Sequence, residues 1–245
     1  MRRQMLALKT RSILTITTII MIGLITFVLF QFTLLKELDN IIFNWFKSNF
    51  GNPQLNFQGG LLNDYLTVVA KYGDVATWLF VAIIIGIILL SKKSYLLGMW
   101  VILTVGSGGI AGIIMKKILH RDRPYDHLIQ DSGFSFPSGH ALSSTMVIMI
   151  LLFLILPQLT QYVLRIILQI VIVVIWLSIL VSRLYFHAHY FTDVLGGVTL
   201  GVLWIMISIH IYRVILNFKL DSRKMSYFLK IENKQRLTAA CSINI

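Results

Sequence analysis

The sequence predicts an all-α, polytopic membrane protein: six transmembrane helices in one bundle, with an interfacial amphipathic helix beside them. Three observations predict it. The 245 residues are 57% hydrophobic and only 13% charged, against about 25% charged in an ordinary soluble domain. The hydrophobic excess is gathered into runs long enough to cross a bilayer, which takes about 20 residues each. Lys and Arg fall unevenly on the two sides that such runs would define, as the positive-inside bias requires.

The first span, 12–33, follows Met1-Arg2-Arg3 and resembles a signal peptide. Its apolar stretch is long and no small-residue cleavage site follows, so an uncleaved anchor is expected. A connection then runs to the second span. Within it Leu34, Leu38, Ile41, Ile42, Trp45 and Phe46 recur at helical spacing, with Lys36, Glu37, Asp39, Asn40, Asn44 and Lys47 on the other side. Such a helix should lie in the interface plane and end at Gly51-Asn52-Pro53. It reads as a structural cap or as a gate for lipid. The remaining spans are expected at 74–91, 95–118, 138–156, 162–183 and 191–216. They are close in sequence and carry no internal repeat or low-complexity linker, so one domain over 1–245 is expected, ending in a basic tail at 217–245. Gly108 and Gly112, and then Gly196, Gly197 and Gly201, read as sites of close helix packing. Cys241 has no partner for an internal disulfide and decides nothing about compartment.

With the N-terminus in the cytoplasm, the inner side holds most of the 22 basic residues, including Arg2, Arg3, Lys92, Lys93, Arg165 and the run from Lys219 to Arg236. Both termini are then cytoplasmic, in the plasma membrane of a bacterial-type cell. The tail lies against the anionic inner leaflet. Most of the net charge of +12 is therefore topological, and nucleic acid is not expected as a partner. The same topology brings four helix ends to the outer face, and all the chemistry-bearing residues sit on them.

Lys116 and Arg123 are close to two helical turns apart, so both can face one direction. Pro124 disfavours helix at Arg123, so the helix should end there and leave the guanidinium to grip phosphate with its planar fork. Lys117 and Arg121 read as bland interfacial neighbours. Pro137 suits the first position of a helix, which would aim the N–H groups of Ser138, Gly139 and His140 at an anion. Gly139 permits close approach, Ser138 adds a hydroxyl, and His140 can carry a proton. His189 and Asp193 are four apart and share a helical face, where a carboxylate orients the imidazole and balances its charge. Arg183 can reach the same centre from another wall. A capped helix and a snorkelling cation pair are the bland alternatives for the first two stretches.

His187, His189 and Asp193 include metal-ligand types. Lys116, Arg123 and Arg183 would repel a divalent cation there, so no metal and no cofactor is expected. His187 reads as a satisfied or exposed bystander. His120 and His127 have no evident partner, and His210 reads as structural.

In order, these residues resemble the type 2 phosphatidic acid phosphatase family of membrane enzymes. The family pattern is Lys, six residues, Arg-Pro; Pro-Ser-Gly-His; and Ser-Arg, five residues, His, three residues, Asp. Here it reads Lys116 to Arg123-Pro124, then Pro137-Ser138-Gly139-His140, then Ser182-Arg183, His189 and Asp193, with no departure in type or spacing. The motif region covers 115 to 201. The resemblance implies a metal-independent phosphatase with His189 as nucleophile, forming a phosphohistidine. Asp193 would orient it and His140 would be the general acid. Lys116, Arg123, Ser138, Gly139 and Arg183 would hold the phosphoryl oxygens. Soluble vanadium haloperoxidases are similar at these motifs, but six membrane spans argue against that chemistry.

The expected activity is hydrolysis of a lipid phosphate or diphosphate at the outer membrane surface. Undecaprenyl diphosphate, phosphatidylglycerophosphate, phosphatidate and diacylglycerol pyrophosphate all fit. A non-catalytic lipid-phosphate receptor or carrier is the alternative. It would keep the cations without needing His140 or the His189–Asp193 pair. A channel or transporter would need charges buried mid-span. Oligomeric state is open.

Overall fold

The computed structural model describes residues 2–128 and 133–242, with side chains for 12–128 and 133–218. The basic tail from Lys219 to Arg236, the N-terminal Arg2, Arg3, Lys9 and Arg11, and Cys241 lie outside the described side chains. All described elements are helical, and they form two compact units, 1–206 and 207–245. Every residue of the expected site belongs to the first.

The helices run in order α1 (Arg2–Phe30), α2 (Thr33–Phe50), α3 (Gly60–Tyr72), α4 (Val75–Ser91), α5 (Tyr95–Leu119), α6 (Gly139–Ile150), α7 (Tyr162–Tyr185) and α8 (Phe191–Ser242). Five stretches are long and apolar enough to cross a membrane: Ser12–Phe30, Tyr95–Leu119, Gly139–Gln158, Tyr162–Tyr185 and Phe191–Phe218. α3 and α4 pass the same test as a pair bent by 56° between Tyr72 and Val75, which makes six spans if the pair is counted as one. Five of the expected spans agree with these stretches to within a few residues, and the second, expected at 74–91, coincides with α4 alone. α6 runs on through a wide π turn over Leu151–Ile155 and a tight turn over Leu156–Gln158, where Pro157 ends it.

The distribution of polarity is that of a protein solvated by lipid. Ile167, Ile170 and Val174 of α7 and Ile110, Ile113 and Ile114 of α5 are exposed, while Asn63, Thr67, Ser143, Ser144, Thr145 and Asp193 are buried. Hydrocarbon offers no hydrogen bonds, so polar groups gather inside where other groups can satisfy them. Thr145 Oγ1, for example, accepts from Trp176 Nε1 at 3.1 Å.

α3 is an element the sequence reading left inside a long connection. Asn63 Nδ2 donates to Gln54 O at 3.1 Å and Asn56 O at 2.7 Å, and Thr67 Oγ1 donates to Asn56 O at 3.0 Å. These bonds pin the loop after α2 onto α3. Asp74 caps α4 by accepting from Thr77 N at 2.7 Å.

α2 has the expected length, and its apolar stripe is divided between two surroundings. Leu34, Ile41 and Trp45 are exposed, whereas Asp39 is 2% exposed and Phe43 is buried. Leu38, Ile42 and Phe46 are half-buried against the protein, Lys36, Glu37, Asn40 and Asn44 stay exposed, and Asp39 is the member of the polar side that is buried.

The glycines of α8 meet the packing expectation. A Cβ on Gly197 would lie 2.5 Å from the Ser138 carbonyl, and one on Gly196 would lie 2.4 Å from the Phe136 ring. The start of α8 is thereby pressed against the start of α6. Gly197→Val should lower the thermal unfolding temperature in detergent, with about 1–3 kcal/mol lost to overpacking. It should also lower activity, because the backbone it displaces carries Ser138.

Candidate active site

The four helix ends meet. Lys116 is in the last turn of α5, Arg183 in the last turn of α7, Gly139 opens α6 and Asp193 is in the first turn of α8. α5 ends at Leu119, four residues before Arg123, with His120 in the left-handed region at φ 46°. The common direction of Lys116 and Arg123 is therefore made by this turn and not by one continuous helix. Lys116 Nζ donates to Phe134 O at 2.6 Å and Ser135 O at 3.3 Å, beneath the loop that leads to α6.

Arg123 reaches the nucleophile candidate directly. Its Nη1 donates to Ala188 O at 2.6 Å and to His189 Nε2 at 3.4 Å, and its Nε donates to Gly133 O at 3.0 Å. Arginine can only donate. The His189 Nε2 it addresses must therefore carry the lone pair, and Nδ1 the hydrogen. Nδ1 lies 3.7 Å from Asp193 Oδ2, a loose pairing with no hydrogen bond of normal length. His189 is 4% exposed. Burial, and then the nearby charges of Arg183, Arg123 and Lys116, push the imidazole well below its ordinary value, so the ring is neutral at physiological pH.

The α6 start differs from expectation in register. The cap is Ser138 and the helix begins at Gly139, which places Pro137 before the cap. Ser138 N–H is engaged by Asp193 O at 3.0 Å. The first-turn N–H groups without an intrahelical partner are consequently those of Gly139, His140 and Ala141. The Ser138 hydroxyl is fully buried and has no partner in the structure. His140 Nε2 lies 3.3 Å from Ala70 O of α3. A ring nitrogen facing a carbonyl must be the protonated one, so the helix absent from the sequence reading holds this histidine.

Asp193 is fully buried and does more than face His189. Its Oδ1 accepts from Arg121 Nη1 at 2.6 Å, and its Oδ2 from Tyr190 N at 2.9 Å. Arg121, read from sequence as a bland neighbour, also donates from Nη2 to Asp39 Oδ2 at 2.7 Å and from Nη1 to Thr192 Oγ1 at 2.7 Å. Asp39 in turn accepts from Thr192 N at 2.9 Å and Thr192 Oγ1 at 2.6 Å. Burial pushes the Asp39 carboxyl above its ordinary value, and Thr192 and Arg121 pull it back.

His187 is neither exposed nor satisfied. It is 1% exposed, its Nε2 has no hydrogen-bond partner, and its ring packs 4.8 Å from that of Phe43. Burial lowers its basicity. Among the described residues, no three His, Cys, Asp or Glu side chains gather as a metal-binding group. A cavity of about 420 Å³ opens between α4, α5 and α6. Val75, Leu79, Gly106, Gly109 and Ile110 line its sides, and Lys116 and Gly139 stand at its polar end. Gly106 and Gly109 have open space where a Cβ would be.

Known proteins are similar to this chain in sequence and fold. A model of the PAP2 superfamily matches residues 97–216. Phosphatidylglycerophosphatase B of Bacillus subtilis (strain 168) is 30% identical over 146 residues, 58% of this chain and 71% of that protein. The crystal structure of the first transmembrane PAP2 type phosphatidylglycerolphosphate phosphatase from Bacillus subtilis superposes with a TM-score of 0.66 at 23% identity. The match covers 84% of this chain and 97% of that one. With its motifs at the ends of membrane-crossing helices and this likeness in sequence and fold, the chain belongs to the PAP2 superfamily, as a membrane phosphatase.

Proposed function

We propose that the protein hydrolyses a lipid phosphate or diphosphate through a phosphohistidine on His189, without a metal, at the outer face of the membrane. The observation that carries this reading is the approach of Arg123 Nη1 to His189 Nε2 at 3.4 Å, with the Asp193 carboxylate on the Nδ1 side of the ring. In the first step Nε2 attacks phosphorus and the bond to the lipid oxygen breaks. That oxygen takes a proton from Nδ1 of His140, which enters the step as the imidazolium with its Nε2–H held by Ala70 O and leaves it neutral. Water, deprotonated by His140, then displaces His189 and releases inorganic phosphate. Lys116, Arg123, Arg183, Ser138 and the N–H group of Gly139 stabilise the charge spread over the phosphoryl oxygens, which is most of the catalytic task.

The cationic set replaces a metal as the source of positive charge. The apolar cavity beneath Lys116 and Gly139 accommodates a lipid chain whose head group rests among the cations. Lys92, Lys93 and Arg165 lie at the opposite helix ends, which supports cytoplasmic termini and an outward-facing site. Phosphatidylglycerophosphate is the first substrate to try, because the Bacillus subtilis relative is named for it. Undecaprenyl diphosphate, phosphatidate and diacylglycerol pyrophosphate complete the panel.

The test is phosphate release by purified protein from each of these lipids, with chelator present throughout. Wild-type activity that survives chelator and is lost in His189→Ala supports the reading. Activity that needs an added metal, or persists in His189→Ala, overturns it. Arg183→Ala should lower kcat by at least ~10²-fold, the scale of losing one preorganised donor. Near-normal turnover in that variant would remove Arg183 from the phosphate cradle.

A further inference from the structure

We propose that Asp39 of α2 and Arg121 are positioning residues of the reaction. Together they clamp the Asp193 carboxylate behind His189 and make α2 part of the catalytic apparatus. The proposal rests on the role of His189 given above. Its basis is a closed buried network. The Arg121 guanidinium bridges two carboxylates, Asp193 at 2.6 Å and Asp39 at 2.7 Å. Thr192, adjacent in sequence to Asp193, is bound to both Arg121 and Asp39. The faces of the guanidinium are covered by Phe27 of α1 at 5.1 Å and Tyr190 at 4.8 Å. Asp39, Thr192 and Asp193 are each at most 2% exposed.

Charges buried this completely are costly unless paired, so the network must be intact for the first turn of α8 to sit where it does. Asp193 Oδ1 is committed to Arg121, which leaves Oδ2 turned toward His189. Arg121 thus decides which oxygen meets the imidazole, and Asp39 decides where Arg121 stands. No phosphate need touch either residue. At its other end α2 is tied to the same loop, with Lys47 paired to Asp126 and lying 4.5 Å from the Tyr125 ring. α2 therefore fastens over the loop between α5 and α6 at two points, and the Asp39 point reaches the nucleophile.

A cavity of about 250 Å³ borders the clamp, lined by Lys36, Asp39, Asn40, His120, Arg121 and Tyr190. It offers a way to test the role chemically, because a free guanidinium ion is small enough to enter it. The experiment compares wild type, Arg121→Ala, Arg121→Lys, Asp39→Asn and His189→Ala on one lipid phosphate in detergent, with thermal unfolding of each. Arg121→Ala should lower kcat roughly 10–100-fold, the scale for outer partners that orient a catalytic group, with KM almost unchanged. Millimolar guanidinium chloride should restore part of that kcat and leave His189→Ala inert. Arg121→Lys cannot bridge both carboxylates and should also lose kcat. Asp39→Asn should lose kcat without rescue, because its guanidinium is already present.

Folded variants with wild-type kcat would overturn the proposal. So would a rise in KM at unchanged kcat, which would mean that Arg121 binds substrate directly, and so would an Arg121→Ala loss that guanidinium does not relieve. If Arg121→Ala fails to fold, the kcat and KM of Asp39→Asn and Arg121→Lys decide alone. Activity persisting in His189→Ala would instead strike the mechanism proposed above, a result distinct from failure of the clamp.

Discussion

His189→Ala should abolish turnover, lowering kcat by on the order of 10⁴-fold or more, as when a covalent nucleophile is removed from other hydrolases. The loss should be far larger than for any single cation, because the cations stabilise charge whereas His189 forms the bond. Labelled substrate quenched in alkali should leave label on the wild-type protein and none on His189→Ala. Phosphohistidine survives base and is lost in acid, which separates it from a phosphoserine. The environment of the ring adds a signed expectation. Burial and the surrounding cations keep the free imidazole well below its ordinary value, so the neutral, nucleophilic form persists into mildly acidic solution. The acid limb of kcat/KM, which reports groups of the free enzyme, should therefore lie below about 6.5, the value of an unperturbed histidine. An acid limb at or above that value would mean that His189 titrates as an exposed ring, which its 4% exposure contradicts.

Much of this site was legible in the sequence because its residues are tied to helix ends. Lys116, Gly139, Arg183 and Asp193 each fall within a turn of a helix terminus, and alternating spans bring those termini to one face. What was hidden depended on contacts between distant segments. Arg121 and Asp39 are 82 residues apart and meet only when α2 folds over the loop after α5. The amphipathic pattern of α2 also leaves its rotation open. Leu34, Ile41 and Trp45 turn outward while Leu38, Ile42 and Phe46 turn toward the protein, and that rotation carries Asp39 inside. A usable signal was present in the scarcity of acids. With only ten Asp and Glu in 245 residues, a carboxylate amid apolar helix is costly, and its presence points to a buried cation as partner.

α3 was missed for a different reason. Leu61, Leu62, Tyr65, Leu66, Val69 and Ala70 do repeat at helical spacing, but the stretch is too short to span and contains Asn63 and Asp64. Those polar groups look like loop until Asn63 is seen to collect two carbonyls of the preceding segment. The same short helix supplies the carbonyl beside His140. The register of α6 shifted because the Ser138 N–H is used by Asp193 O, a bond between two motifs that neither motif reveals alone.

Asp193→Asn should be the second most damaging change, lowering kcat roughly 10³- to 10⁴-fold, comparable to the equivalent change behind a catalytic histidine elsewhere. The argument is one of donors and acceptors. Both Asp193 oxygens accept: Oδ1 from Arg121, and Oδ2 from Tyr190 N, with His189 Nδ1 also on the Oδ2 side. Asparagine has one acceptor and one NH₂ group. If its NH₂ meets Arg121, two donors face each other inside the protein and the guanidinium must retreat toward Asp39. If its NH₂ meets His189, the Nδ1–H tautomer is opposed. The lone pair then moves to Nδ1, and Nε2 cannot attack phosphorus. Either rotamer also leaves a buried charge short of a partner, a loss of about 3–5 kcal/mol when one member of such a pair is removed. The variant should therefore unfold at lower temperature as well. The two effects are separable, because the tautomer argument concerns kcat and leaves the phosphate cradle standing. Asp193→Asn should still bind vanadate or inorganic phosphate with nearly the affinity of wild type while turnover is lost. Equal losses in binding and turnover would instead mean that the substitution has dismantled the start of α8.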